Sequence, residues 1–398
     1  MTELVPGGRA AGSPGAPPAA GTVPVLPPAT GAWREGDPVG GRRFVTLPDP
    51  LPLEGGSALP DVTVAYETWG EFRGDNAVLV LHALTGDSHV TGPAGLGHPT
   101  PGWWGAVVGP GLAIDTDRWF VVAPNVLGGC QGTTGPASPA PDGRPWGSRF
   151  PVTSVRDQVA LEVRLADQLG IDRWAAVLGG SMGGMRAAEW AVTHPDRVER
   201  LLLLACCAAA SADQIAWAAP QLAAIREDPN WCGGDYHDRA RGEGPHIGLG
   251  VARRIAHTTY RTAEELDTRF GRRPQPGEDP YDAASPGRFA VESYLDHHAE
   301  KLVHRFDAGS YVALTAAMNG HDVSRGRGSM ADALGRVTAR TVVAGATSDR
   351  LYPLHQQEEL AALIPSSGPV ERIESPYGHD SFLIEAKRLA EILEQLLA

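Results

Sequence analysis

Four cysteines, at positions 130, 206, 207 and 232, are all that this chain carries in 398 residues, and no two of them have Cys-x-x-Cys spacing. So sparse a set builds no disulfide framework and reads as reduced thiols, which points to the cytoplasm. No apolar run approaches membrane-spanning length, and the first residues lack the basic start and apolar stretch of a secretory signal. Positive charge is also short: the net charge of -13 argues against nucleic acid and anionic membrane surfaces as partners, since both need clustered cations. No P-loop or dinucleotide fingerprint is present, and the histidines and cysteines show no metal-ligand spacing, so no metal is expected. What remains is a hydrophobic content of 42%, enough at this length for one large domain with an insertion, or for two domains.

Residues 1–40 are rich in Pro, Gly and Ala without a periodic apolar pattern, which predicts a disordered tail. Order is expected from Arg43 to Leu47 and from Val62 to Gly70, two alternating segments suited to antiparallel strands. Continuous apolar runs at 77–82, 119–124, 174–178, 198–204 and 341–345 suit strands buried on both faces, and they alternate with helical patterns such as Ser154 to Leu169. That combination predicts an α/β fold with a mostly parallel central sheet and flanking helices. Between 208 and 328 only helical patterns occur, at Ala212–Ile225, Gly248–Thr259, Ala290–Arg305 and Tyr311–Met318. This predicts a core of 41–207 and 329–398 interrupted by a helical lid at 208–328, which covers the strand ends and serves as a pocket wall, a dimer contact, or both.

The strongest chemical signal is Gly179-Gly180-Ser181-Met182-Gly183, a Gly-x-Ser-x-Gly run entered from an apolar strand and left through a helical stretch. A serine held in so sharp a turn needs small neighbours, and the glycines leave its hydroxyl exposed. The serine needs a base, and the base needs an orienting acid. Asp349 follows the last apolar run, where catalytic loops gather in open parallel sheets, and His379 lies beside Gly378 before the final helix. His82, His89 and His321 compete for the base role, although the first two precede the serine and the third falls in or beside the lid. The loop Leu81–Asp87 follows a buried strand, where a second oxyanion amide is usually supplied. The backbone amides of Leu84 and Met182 are therefore the expected oxyanion donors.

These residues resemble the homoserine O-acetyltransferase family of the α/β-hydrolase fold. The likeness runs through Tyr66–Gly70, His82–His89, Pro124–Pro136, Phe150–Asp157, the serine elbow, Ala252–Arg261, Arg305–Tyr311 and Gly378–Asp380. It spans about residues 43–398, and the Asn125–Pro136 stretch discriminates best, because generic esterases share the elbow and not this loop. The resemblance implies acetyl transfer from acetyl-CoA to the hydroxyl of L-homoserine through an acetylated Ser181, with no permanently bound cofactor, in methionine biosynthesis. It implies that Arg253 and Asp380 hold the amino acid, and it leaves Arg254 as the neighbouring alternative to Arg253. A guanidinium suits an α-carboxylate and a carboxylate suits an α-ammonium. A homodimer through the lid is expected. Succinyl transfer, serine as acceptor and plain ester hydrolysis stay open as alternatives. Arg186 departs from the uncharged residue that many members carry at that position.

Overall fold

In the computed structural model of the protein, residues 26–398 are described. Strands β1 (Arg43–Thr46), β2 (Leu51–Pro52), β3 (Ala58–Leu59) and β4 (Thr63–Trp69) come first along the chain. β5 (Ala77–Leu81), β6 (Val108–Gly109), β7 (Ile114–Asp115) and β8 (Phe120–Pro124) follow, then β9 (Ala176–Gly180), β10 (Arg200–Leu204), β11 (Arg340–Ala346) and β12 (Glu371–Ile373). Eight of them join in one sheet of order β1-β4-β8-β5-β9-β10-β11-β12, while β2–β3 and β6–β7 form two-stranded ribbons. β1 and β8 both pair antiparallel with β4, and every other pairing in the large sheet is parallel. The continuous apolar runs are explained by two-sided burial. Leu79, Val177, Leu201 and Val343 pack into the core on one face, and Val78, Leu178, Leu202 and Ala344 into the core on the other.

Helices α1 (Val155–Gln168) and α2 (Met182–Thr193) cover one face of the sheet. Ser154 and Asp157 start α1 with a reciprocal capping box, which satisfies two orphan amides of its first turn. Between β10 and β11 lie α3 (Ala212–Arg226), α4 (His246–Tyr260), α5 (Ala263–Arg269), α6 (Ala290–Val303), α7 (Ala308–Asn319) and the short α8 (Met330–Leu334). Helices α3, α4 and α6 pack in series, and α7 packs on α3. After β11 come α9 (Leu354–Leu363), α10 (Ser381–Ile384) and α11 (Ala386–Leu397). Leu389, Ile392, Leu393, Leu396 and Leu397 give α11 the i, i+3, i+4, i+7, i+8 stripe that seats it on the sheet.

The expected tail is too long by at least the residues from Leu26 onward. Residues 1–25 lie outside the described residues, but 26–40 pack on the body. Ala29, Thr30 and Ala32 are buried, Gly31 donates its amide to the Phe306 carbonyl at 3.2 Å, and Trp33 donates to Cys130 at 2.9 Å. Composition misled here because the segment has no periodicity of its own. It is ordered by backbone and polar contacts to the insertion and to the core around Cys130 rather than by a periodic apolar face. The Thr30 hydroxyl donates at 2.7 Å to Asp307, the residue that caps α7. Thr30→Val is therefore expected to destabilise the protein by about 1.5–3 kcal/mol, as loss of a hydrogen bond to a buried charged group does. Urea unfolding with an unchanged midpoint would show that this contact contributes nothing.

Candidate active site

Ser181 stands at the turn between β9 and α2 with φ 56° and ψ -124°, a backbone conformation that L side chains rarely adopt. Two glycines make the turn possible. A Cβ at Gly179 would lie 2.1 Å from the Gly183 carbonyl oxygen, and one at Gly183 would lie 2.0 Å from that of Leu81. Helix α2 thus presses directly on the end of β5. The Ser181 amide is bonded to the Leu204 carbonyl at 2.9 Å, which fixes the elbow to the next strand.

The fold brings Ser181, His379 and Asp349 together from three loops at the C-terminal ends of β9, β12 and β11. His379 Nε2 lies 2.9 Å from Ser181 Oγ, and His379 Nδ1 lies 2.7 Å from Asp349 Oδ2. The other carboxylate oxygen of Asp349 accepts the amides of Leu351 and Tyr352, both at 2.9 Å. All three side chains are buried. The imidazole is stacked on Tyr352 at 4.9 Å and meets the edge of Phe382 at 5.4 Å, so its ring plane is fixed as well as its tautomer. Gly378, at φ +62°, turns the chain beside it where a Cβ would approach the Tyr260 carbonyl at 2.9 Å.

The loop after β5 carries Leu84 beside this triad, and Leu84 and Met182 belong to one apolar cluster. Among the described residues neither the Leu84 nor the Met182 amide donates to a protein acceptor. A cavity of about 50 Å³ adjoins Leu84, lined by Leu84, Met185 and Tyr352 on the sheet side and by Trp217, Gln221 and Tyr260 on the insertion side. A larger cavity, about 520 Å³, lies between residues 28–38 and the loop carrying Arg239 and Arg241; no triad side chain lines either cavity, but Tyr260 and Tyr352 of the smaller one both pack on His379. Chemistry rather than size therefore decides which cavity is the candidate site.

Arg253 and Asp380 lie beside the triad, Asp380 directly after His379 and Arg253 close enough to pull on the Asp380 carboxyl. Arg253, on α4, reaches Thr85 Oγ1 at 3.5 Å, sits over the Tyr260 ring at 5.5 Å, and has a buried Nε without a partner. It forms no ion pair among the described residues. Arg254 behaves differently: it is paired with Asp296 at 2.7 Å on the half-exposed flank of α4. Burial pushes the Asp380 carboxyl above the usual range, against the pull of Arg253, His379 and Arg261. Arg261 is 3.3 Å from Asp380 and 2.9 Å from Glu265. This partner was not evident in the sequence, because nothing local links residues 261 and 380.

The competing histidines have other occupations. His82 accepts the Val126 amide at Nε2, 3.1 Å away, while Nδ1 donates to the Ala83 carbonyl at 2.8 Å. Burial, with Arg186 nearby, lowers its pKa to about 3, so it stays neutral as that geometry requires. His321 is buried against the Cys207 carbonyl at 3.2 Å, and burial lowers its pKa to about 4. His89 lies 3.0 Å from Glu67, and His98 stacks on it at 3.8 Å with the rings 9° from parallel. Glu67, His89 and His98 thus form a cluster of metal-ligand residue types that spacing along the chain did not reveal. The near-parallel rings cannot both aim an in-plane lone pair at one ion, and His98 Nε2 already accepts the Gly41 amide at 3.0 Å. These contacts fit a polar anchor for the segment around Gly41 better than a metal centre.

The α/β-hydrolase fold model matches residues 76–386. Homoserine O-acetyltransferase of Thermobifida fusca is 68% identical over 95% of this chain and 99% of its own length. The chain belongs to the homoserine O-acetyltransferase family. The enzyme of that name from Clavibacter michiganensis is 58% identical over 93% of this chain and 96% of its own. Among solved structures, homoserine O-acetyltransferase from Bacillus anthracis is similar with a TM-score of 0.80 and 28% identity, covering 89% of this chain and 97% of that one. Esterase E22 is as similar, at a TM-score of 0.79 and 26% identity, covering 90% of this chain and 99% of that one. Backbone likeness alone therefore does not separate transferase from esterase, and the side chains around the triad must.

Proposed function

We propose that this chain transfers an acetyl group from acetyl-CoA to the hydroxyl of L-homoserine by a two-step path through acetyl-Ser181. His379 Nε2 takes the Ser181 proton as Oγ attacks the thioester carbonyl. The carbonyl oxygen gains charge beside the Leu84 and Met182 amides, the C–S bond breaks, and the thiolate leaves with the proton from His379. In the second half-reaction His379 takes the homoserine hydroxyl proton, the new oxygen attacks the acetyl group, and Ser181 recovers its hydrogen. Asp349 holds the imidazole throughout, and no bound cofactor or metal takes part. The observation that carries this reading is the pair Arg253 and Asp380, a cation without an ion-pair partner among the described residues and a partly buried carboxylate on the same side of the triad. A carboxylate and an ammonium on one small acceptor satisfy both.

The reading includes a cytoplasmic enzyme that dimerises through the helical insertion. Three of the four free thiols are buried, which suits a reducing compartment, and among the described residues no helix is long and apolar enough to cross a membrane. Ile215 on α3 and Ile247 and Val251 on α4 are 40%, 73% and 37% exposed, an apolar surface suited to a second copy. A second reading, ester hydrolysis, is favoured by the likeness to esterase E22.

The test follows free thiol with acetyl-CoA and with succinyl-CoA, each with and without L-homoserine. Thiol release that depends on homoserine and prefers acetyl-CoA supports transfer, and acceptor-independent release supports hydrolysis. Arg253→Ala and Asp380→Asn are expected to lower homoserine transfer about a hundredfold each, as loss of a charge-assisted contact worth about 2–3 kcal/mol implies. Both variants should leave hydrolysis of p-nitrophenyl acetate, which carries neither charge, much less affected. Equal losses in both assays would assign these residues to the triad or the fold instead.

A further inference from the structure

Arg186 lies one turn beyond the serine elbow on α2, is fully buried, and does not line the cavity walled by Leu84 and Tyr352. Its Nη1 donates to Glu162 of α1 at 2.7 Å, and its Nη2 donates to the His82 carbonyl at 2.6 Å. The second oxygen of Glu162 accepts the Trp190 indole N–H at 2.7 Å, so the carboxylate is fixed from both sides. His82 begins the loop that carries the Leu84 amide. Its ring in turn accepts the Val126 amide of the Asn125–Pro136 stretch.

A buried ion pair is a poor way to stabilise a fold. Removing two charges from water costs about what their attraction returns, and apolar residues of similar volume often do as well or better. Its geometry here suggests a different role. The guanidinium is the only side chain that ties the nucleophile helix to a carbonyl of the opposing oxyanion loop, two residues before the Leu84 amide, among the described residues. The backbones of those two elements already touch, at Gly183 and Leu81. Because Ser181 and Met182 sit on one element and Leu84 on the other, a rigid link between the two sets the distance between the nucleophile and both amides.

We propose that Arg186, held by Glu162, is a positioning residue for acyl transfer that fixes the oxyanion loop against the nucleophile helix. The inference rests on the acetyl-serine reading above. A loosened loop weakens stabilisation of every tetrahedral intermediate, so both half-reactions suffer together and substrate binding does not. This signature differs from that of Arg253 and Asp380, which serve the acceptor alone.

Arg186→Met alone strands Glu162 as an unpaired buried carboxylate, so the informative variant is Arg186→Met with Glu162→Gln, which removes both charges and keeps an acceptor for Trp190. It should melt within a few degrees of the wild type. Its kcat should fall about 10- to 100-fold, by similar factors for homoserine transfer and for the acetylation burst with p-nitrophenyl acetate, with each KM changed less than about threefold. Arg186→Lys, which keeps the charge and one donor, should recover part of the loss, and it carries the test if the double variant fails to fold. Wild-type kcat in either folded variant, a loss confined to the acceptor step, or a change in KM alone would each overturn the proposal. If wild-type enzyme forms no acetyl-Ser181, the acetyl-serine reading itself fails, a result distinct from these.

Discussion

Ser181→Ala should abolish acetyl transfer, with turnover down by at least about four orders of magnitude, because no neighbouring group can replace the lost oxygen. The cysteines are poor substitutes. Burial pushes the Cys130 and Cys206 thiols up to about 12, so neither supplies a thiolate near neutrality. The fold should survive the change. Alanine meets the same positive φ that serine already tolerates, and only the 2.9 Å contact to His379 is lost. Stability should therefore stay within about 1 kcal/mol of the wild type. Rapid quench of wild-type enzyme with acetyl-CoA alone should place one acetyl group on the peptide containing Ser181, and none should appear on the alanine variant. An acetyl group on a Cys232 peptide, or residual turnover above a few per cent, would move the nucleophile elsewhere.

Asp349→Asn is expected to lower kcat about 10⁴-fold, and the hydrogen-bond pattern explains why. One oxygen of Asp349 accepts two backbone amides, from Leu351 and Tyr352, while the other accepts from His379 Nδ1. An asparagine must keep its single oxygen on the two amides, which turns its NH2 group toward the imidazole. Nδ1 then becomes an acceptor and the ring proton moves to Nε2, where it blocks uptake of the Ser181 proton. The melting temperature should hardly move, since the side chain keeps its shape. A loss below about tenfold would mean that another carboxylate orients His379.

Much of this architecture was legible in the sequence, for physical reasons. Parallel strands buried on both faces read as unbroken apolar runs, so β5, β8, β9, β10 and β11 stand out. By contrast β12 is a three-residue edge strand reading Glu-Arg-Ile, with no apolar run to betray it. The elbow was visible because its glycines are demanded by close backbone approach, and the order Ser181, Asp349, His379 located three side chains that the fold brings within hydrogen-bonding reach. Partnerships across the fold were not legible. Arg261 with Asp380, Glu162 with Arg186, Glu67 with His89, and Thr30 with Asp307 each join residues whose proximity depends on tertiary packing. The ordered stretch 26–40 escaped notice for the same reason.

The placement of the helical insertion also bears on how the molecule can change. β10 and β11 are hydrogen-bonded neighbours in the sheet, yet the whole insertion is looped out between Leu204 and Arg340. The entropy of closing a loop grows only with the logarithm of its length, about 0.6 kcal/mol for each doubling. The strand pairing that supports Ser181 on one side and Asp349 on the other is thus nearly indifferent to how many residues the excursion contains. Helices α3 to α7 can lengthen, shorten or exchange residues, and with them the cavity wall formed by Trp217, Gln221 and Tyr260, while Ser181 and Asp349 keep their places. Arg253 lies in the excursion and Asp380 on the sheet-bound part, so if the two hold the acceptor as proposed, a change of acceptor has one side free to move and one side held.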